Sequence, residues 1–314
     1  MSACADLGKV ALVGPGAVGG YYGGMLARAG ADVRFLFRST FEEVREHGLE
    51  LVLHGSGGGR VKVEPLRAYR TSVEIGPCDW VVVAAKSTAN PRLAETLRPL
   101  LDERTALLTL QNGMGNVENL GRIAGEDRTI VGGLCFTCIN RTAPNVVESI
   151  LPGYVQFGRN GGPLTPKGRD VMEAFAEAGV ATREAASLDE ALWRKLCWNV
   201  PFNGLAIAGG GITTDKILAA PALVRRARAL MEELQAAAAR FEVKIEDAFL
   251  ERQFTLTEPM GPYKPSSLID FLAGRETEVE SIWAEPLRRG RQAGAEMPEL
   301  QKLYEELQAA QKVG

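Results

Sequence analysis

The stretch from Lys9 to Gly30 constrains the fold more than any other. Lys9–Val13 (KVALV) is a short apolar run suited to a buried strand, and Gly14-Pro15-Gly16-Ala17-Val18-Gly19 follows it without a break. Tyr22, Met25 and Leu26 then recur at helical spacing up to Gly30. Strand, glycine turn and helix in that order form the setting in which G-x-G-x-x-G binds a dinucleotide. Gly14 makes the tight turn, Gly16 lets a pyrophosphate reach the backbone, and Gly19 lets helix and strand pack closely. The phosphates are then expected at the helix N-terminus, where unpaired N–H groups and the helix dipole favour an anion. Gly14, Pro15, Gly16, Ala17, Val18 and Gly19 are therefore expected to hold the cofactor, in an α/β domain.

The next strand, Asp32–Phe37, ends in Arg38-Ser39-Thr40. An NAD-binding chain usually places Asp or Glu there to hold the ribose 2′-hydroxyl. Arg38 stands in that place, and a guanidinium matches a 2′-phosphate that a carboxylate would repel. NADP(H) is therefore expected over NAD(H). Leu49–Leu53 and Arg60–Leu66 flank a glycine-rich tip, Gly55 to Gly59, and predict a hairpin. Trp80–Ala85 and Thr105–Leu110 are buried-strand patterns, the first ending in Lys86 and the second followed by Gln111-Asn112-Gly113-Met114-Gly115. Ligands in such sheets gather at the carboxyl ends of strands, which makes Lys86 and Asn112 candidate cofactor or substrate contacts. Gly113 and Gly115 are expected to leave room for a ligand beside Asn112. Thr129–Phe136, Val146–Ile150 and Gly153–Phe157 predict further strands.

After residue 186 the strand signal stops and helical patterns take over, predicting an α/β dinucleotide-binding domain over 1–186 and an all-helical domain over 187–314. Ser187 with Glu190 three residues on predicts a helix start. Lys195, Asn199 and Asn203 then recur at i, i+4 and i+8, on one helical face. The residues between them include Trp193, Leu196, Trp198, Val200 and Phe202, so the helix is expected to be mostly buried, with a kink caused by Pro201. Lysine can give a proton and each asparagine amide both donates and accepts, which suits a substrate carrying hydroxyl and carboxylate oxygens. Further on, Ser266 or Ser267 is expected to cap a helix, and Glu278 reads by residue type as a surface glutamate.

The 46% hydrophobic and 24% charged content fits a soluble globular chain, and a net charge of −3 without a basic block gives nothing for nucleic acid or an anionic membrane to recognise. No long apolar run or signal-peptide pattern occurs, so a cytoplasmic protein is expected. The five scattered cysteines suit reduced thiols better than a disulfide frame. Cys135 and Cys138 form a CxxC inside an apolar run, expected to be a buried pair of thiols rather than a metal or redox site. With only His47 and His54 in the chain, a histidine proton relay is not expected.

Taken together, GPGAVG, Arg38, Lys86, QNG around Asn112, the Lys195/Asn199/Asn203 line and KPSS with Glu278 resemble the ketopantoate reductase (2-dehydropantoate 2-reductase) family over nearly the whole chain. Its most specific part is K-x-x-x-N-x-x-x-N. The resemblance implies a Rossmann-like domain followed by a helical one, with a cleft between them. It also implies NADPH-dependent reduction of a 2-oxo acid on the way to pantothenate, by a monomer or homodimer. It makes Lys195 the general acid, Asn199, Asn203 and Ser266 substrate ligands, Asn112 a contact to both substrate and cofactor, and Glu278 a neighbour of the nicotinamide. Gly14 to Gly19, Arg38 and Lys86 would hold NADPH. Some members carry Asn ten residues past the second asparagine of the line, where this chain has Thr213. Reduction of another 2-oxo acid, or a non-catalytic sensing role for the cofactor site, are the alternatives.

Overall fold

The computed structural model describes residues 2–54 and 58–313, so 55–57 of the expected hairpin tip, Gly55 to Gly59, lie outside the described residues. Among the described residues the strands are β1 Lys9–Val13, β2 Asp32–Leu36, β3 Glu50–Leu53, β4 Gly59–Lys62, β5 Arg67–Tyr69, β6 Trp80–Val83, β7 Ala106–Thr109, β8 Ile130–Ala143, β9 Val146–Gly158 and β10 Thr182–Glu184. The helices are α1 Ala3–Asp6, α2 Ala17–Arg28, α3 Phe41–His47, α4 Ser72–Ile75, α5 Asn90–Leu97, α6 Asn116–Ala124 and α7 Pro166–Glu177, then α8 Leu188–Ala208, α9 Thr214–Ala219, α10 Pro221–Ala239, α11 Asp247–Thr257, α12 Ser266–Leu272, α13 Glu285–Gln292 and α14 Pro298–Val313. Residues 1–111 and 116–188 form one compact unit; 112–115 and 189–314 form the other.

The first unit is built on a single mixed sheet in the order β4-β3-β9-β8-β7-β6-β1-β2-β5, with β10 pairing β9. β1 lies between β2 and β6 and is parallel to both, with Val13 opposite Leu36 on one side and Val83 on the other. That register brings the carboxyl ends of the three strands level, so Gly14, Phe37-Arg38 and Ala84 to Lys86 leave the sheet at one edge. Every residue of β6 and β7 is buried, as a strand covered on both faces requires. The pleat sends Leu12 to one face, into a core with Tyr22, Leu26, Phe35, Phe157 and Phe175. It sends Ala11 and Val13 to the other, with Val81, Val83, Leu93, Leu97 and Leu120.

Two strands expected at Val146–Ile150 and Gly153–Phe157 are one strand, β9. Its ladder with β8 shifts register between Phe136/Tyr154 and Cys138/Leu151, and Pro152, which has no N–H to donate, falls in the shift. β8 also runs seven residues beyond its expected end at Phe136, to Ala143. Cys135 and Cys138 flank that irregularity and are half-buried, in no disulfide, and not the buried pair expected. Short β5 and α1 carry too little pattern to be read from sequence; α1 is held by Ser2, which caps it and donates to Glu177 of α7 at 2.5 Å.

In the helical unit α8 begins directly after Ser187 and continues through Pro201 to Ala208. Trp193, Leu196, Val200, Phe202 and Leu205 are buried with Leu230 and Leu234 of α10, Trp283, and Leu300 and Leu303 of α14. The Trp283 indole donates to the Val200 carbonyl at 3.0 Å. Gly204 makes that approach possible, since a Cβ there would stand 2.8 Å from the indole nitrogen. Trp198 stacks on Phe202 at 5.3 Å and donates to Thr257 at 2.9 Å. Among the described residues no helix is long and apolar enough to cross a membrane. Cys197, on α8, is fully enclosed, and burial pushes its thiol up to about 12. Thiolate is the reactive form. Iodoacetamide at pH 8 is therefore expected to leave Cys197 unlabelled in the native protein and to label it after denaturation, read by peptide mass spectrometry; rapid native labelling would contradict the packing of α8.

Candidate active site

At the sheet edge of the first unit, two of the three motif glycines are demanded by close neighbours and the third stands open. Gly14 has φ +82°, and a Cβ there would lie 2.4 Å from the Ala85 backbone at the end of β6. At Gly19 a Cβ would lie 2.5 Å from the Gly14 carbonyl and 2.8 Å from Ala84 Cβ, so α2 could not pack on the sheet. Gly16 differs, because nothing stands within 4 Å of where its Cβ would be. It forms the N-cap of α2 with no side chain capping the helix. An open glycine in front of uncapped helical N–H groups is a cradle into which an anionic pyrophosphate fits. Pro15, Ala17 and Val18 carry the loop around it.

Arg38 is exposed just past β2. Among the described residues no carboxylate pairs with it, because the acids nearby are engaged elsewhere. Asp32, at the opposite end of β2, is held by Arg34 at 3.2 Å and Arg67 at 2.7 Å. Glu42, on α3, is held by Arg45 at 2.9 Å and by Arg70. A guanidinium facing solvent here has the geometry to pair with a phosphate. Lys86 is half-buried where β6 gives way to a short 3₁₀ turn, Ser87–Ala89. Sequence reasoning missed a chain of side-chain hydrogen bonds at the neighbouring strand ends. Thr109 donates to Gln111 at 3.0 Å, Gln111 to Asn90 at 2.9 Å, and Asn90 to Asn116 at 3.1 Å. The available signal was an asparagine opening each of two helices after consecutive strands.

In the helical unit the Lys195 ammonium donates to Asn112 Oδ1 at 3.1 Å. Asn112 begins the tetrapeptide Asn112–Gly115, which packs with the helices. Its anchor is the Met114 N–H, which donates to the Ser281 carbonyl at 2.8 Å, with the Met114 side chain buried in the helical core. Gly113 does not leave room for a ligand, as had been expected. A Cβ there would stand 2.3 Å from the Ser281 carbonyl oxygen, and at Gly115 one would meet the Glu285 side chain at 3.4 Å. Both glycines have φ +83° and serve to bring this loop against the segment around Ser281. That segment, Glu280–Ala284, winds as a π-helical turn, a form that often marks functional sites. Glu278 lies just before it and is only 8% exposed, so the surface-glutamate expectation is corrected: a carboxylate is kept inside this unit. Burying a carboxylate is costly unless other groups compensate it.

One turn along α8 from Lys195, the Asn199 side chain is half-buried and has no hydrogen-bond partner among the described residues. Asn203 is 2% exposed and both its amide nitrogen and its amide oxygen are hydrogen-bonded. It donates to the Asn199 carbonyl at 3.1 Å and accepts from the Ser267 N–H at 3.0 Å. The cap of α12 therefore comes from Asn203, and neither Ser266 nor Ser267 supplies it with a side chain. Ser266 is exposed at the first position of α12. Thr213 hydrogen-bonds Asp215 and stands at the N-cap of α9.

Parallel central strands whose carboxyl ends carry a glycine-walled helix N-terminus in one unit, and a lysine with an unengaged amide in the other, are the parts of a nicotinamide-dinucleotide oxidoreductase. Residues 10–162 match the family profile described as ketopantoate reductase PanE/ApbA, and 187–311 match that of its C-terminal domain. The chain belongs to this ketopantoate reductase family. It is 34% identical over 305 residues to a 2-dehydropantoate 2-reductase of Nostoc sp., covering 95% of this chain and 94% of that one. A crystal structure of 2-dehydropantoate 2-reductase from Geobacter metallireducens GS-15 superposes with a TM-score of 0.91 at 38% identity, over 96% of this chain and 99% of that one. The fold is also that of D-mandelate dehydrogenase solved with NADH and anilino(oxo)acetate, with a TM-score of 0.87 at 20% identity over 97% of this chain and 99% of that one.

Proposed function

We propose that this chain reduces the 2-oxo group of 2-dehydropantoate with NADPH, Lys195 giving the proton. The observation that carries the proposal is the Lys195–Asn112 hydrogen bond at 3.1 Å, with the unengaged Asn199 amide one turn away. The cofactor supplies the hydride. As hydride reaches a ketone carbon, negative charge grows on its oxygen. An ammonium stabilises that charge and then neutralises it by donating a proton. Asn112 accepts one N–H of Lys195 and so fixes where its remaining protons point. The Asn199 amide can hold a hydroxyl or carboxylate oxygen of the substrate, and Ser266 adds a hydroxyl. Asn203 contributes by fixing the backbone on which Ser266 sits.

NADPH oxidation with a panel of 2-oxo acids tests the substrate. The highest kcat/KM is expected for 2-dehydropantoate, as the names of the relatives suggest. The Thr213–Asp215 bond favours one alternative, another 2-oxo acid, because the hydroxyl at that position is already engaged by a neighbouring carboxylate. A panel led by another 2-oxo acid would replace the substrate and keep the chemistry.

NADP selectivity rests on Arg38. A charge-assisted contact contributes roughly 1.5–3 kcal/mol, about tenfold to a hundredfold in affinity. Arg38→Glu is expected to weaken NADPH by that factor and NADH by much less. Equal losses for both cofactors, measured by fluorescence titration, would remove the assignment.

A further inference from the structure

Arg141 lies near the far end of β8, more than a hundred residues after the glycine loop, yet its guanidinium reaches that loop. Nη1 donates to the Pro15 carbonyl at 3.1 Å, inside the glycine motif. Nη2 donates to Thr40 Oγ1 at 2.9 Å, two residues past Arg38, and also to the Pro144 carbonyl. Nε is enclosed and has no partner. The partners are neutral oxygens only; among the described residues no carboxylate compensates this cation. Burial without a counter-charge pushes its pKa down, and a guanidinium nonetheless stays protonated. An unpaired, largely desolvated charge is unfavourable by itself and is sustained where an anion joins it. The two segments it ties together are those expected to flank the adenosine ribose: the glycine turn and the Arg38-Ser39-Thr40 turn.

We propose that Arg141 is a positioning and selectivity residue for the adenosine 2′-phosphate, clasping the glycine turn to the Arg38 turn and adding a second positive charge behind Arg38. The proposal rests on the NADPH reading above. It is separate from Arg38 in mechanism, since Arg38 is exposed and free to move, whereas Arg141 is fixed by three acceptors before any ligand arrives. Preorganised charge loses less on binding than charge on a mobile side chain.

The test compares Arg141→Met and Arg141→Lys with the wild type. It measures NADPH and NADH dissociation constants, kcat at saturating cofactor, and thermal stabilisation by 2′,5′-ADP and by 5′-AMP. For Arg141→Met the expected result is a tenfold or greater loss for NADPH against less than threefold for NADH. kcat should stay within threefold, and stabilisation by 2′,5′-ADP should disappear. Arg141→Lys should recover part of the NADPH affinity, which a purely structural role would not predict. If Arg141→Met weakens both cofactors equally, or neither, the proposal is overturned. If Arg141→Met does not fold, Thr40→Val reads the same selectivity ratio, because it removes one anchor of the guanidinium and leaves its charge. A two- to fivefold fall in the NADPH:NADH ratio is then expected, and an unchanged ratio overturns the proposal. A wild type without NADPH preference sinks the parent reading, whereas a selective wild type whose variants stay selective sinks only the role of Arg141.

Discussion

Replacing Lys195 with alanine is expected to lower kcat by about 10²–10⁴-fold, the usual contribution of general acid catalysis, with NADPH affinity nearly unchanged. The chain offers few alternatives for the task. His47 and His54 lie elsewhere in sequence, His47 beside Glu43 and His54 beside Glu148, and both are half exposed. Lys86 is the rival, but it follows β6 at the sheet edge where the glycine loop lies, and we assign it to the cofactor. Lys195 instead has one N–H held by Asn112 and sits one turn from the unengaged Asn199 amide, the arrangement on which the proposed proton transfer rests. Steady-state kinetics with a cofactor titration decide the matter. Should the variant keep kcat within a few-fold and lose cofactor affinity, Lys195 is a binding residue and Lys86 becomes the donor.

The second large effect is expected at Gly113. Alanine there would have to adopt φ +83° and place its Cβ 2.3 Å from a backbone oxygen that cannot swing away. Left-handed strain in a non-glycine residue amounts to about 1–3 kcal/mol, and a clash with backbone adds to it. The loop is expected to yield by withdrawing from Ser281, carrying Asn112 with it. A shift of roughly 1 Å in a positioning group can reduce catalysis about 10²-fold, so kcat/KM for Gly113→Ala should fall on that order along with stability. Gly115→Ala carries the same φ but meets only the movable Glu285 side chain at 3.4 Å, and its loss should be several-fold smaller. Equal kinetics for the two variants would show that the Ser281 contact does not hold Asn112.

Much of this was legible in the chain because it depends on local pattern. The glycine turn announces itself through the strand before it and the helix after it, and α8 carries Lys195 and Asn199 at helical spacing. What escaped depends on distant partners. Nothing near Arg141 in sequence signals that a longer β8 carries it to Pro15 and Thr40. Glu278 looks like a surface residue until the π-helical turn after it is known. Gly113 reads as space for a ligand, and only the packing of Ser281 shows that the space is already filled. The two backbone groups that Asn203 bonds, the Asn199 carbonyl and the Ser267 N–H, are partners that periodicity cannot locate.

The tetrapeptide Asn112–Gly115 also bears on how this protein can be recombined. A chimaera cut at 188/189, exchanging the helical part for that of a relative, would leave behind four residues that belong to the incoming piece. The transplanted helices would meet a foreign methionine position in their core and a foreign partner for their lysine. Grafts that carry 112–115 with them should therefore keep activity where the simple two-piece exchange loses it. Substitutions in this tetrapeptide and around Ser281 should be inherited as a set, although the chain separates them by more than 160 residues.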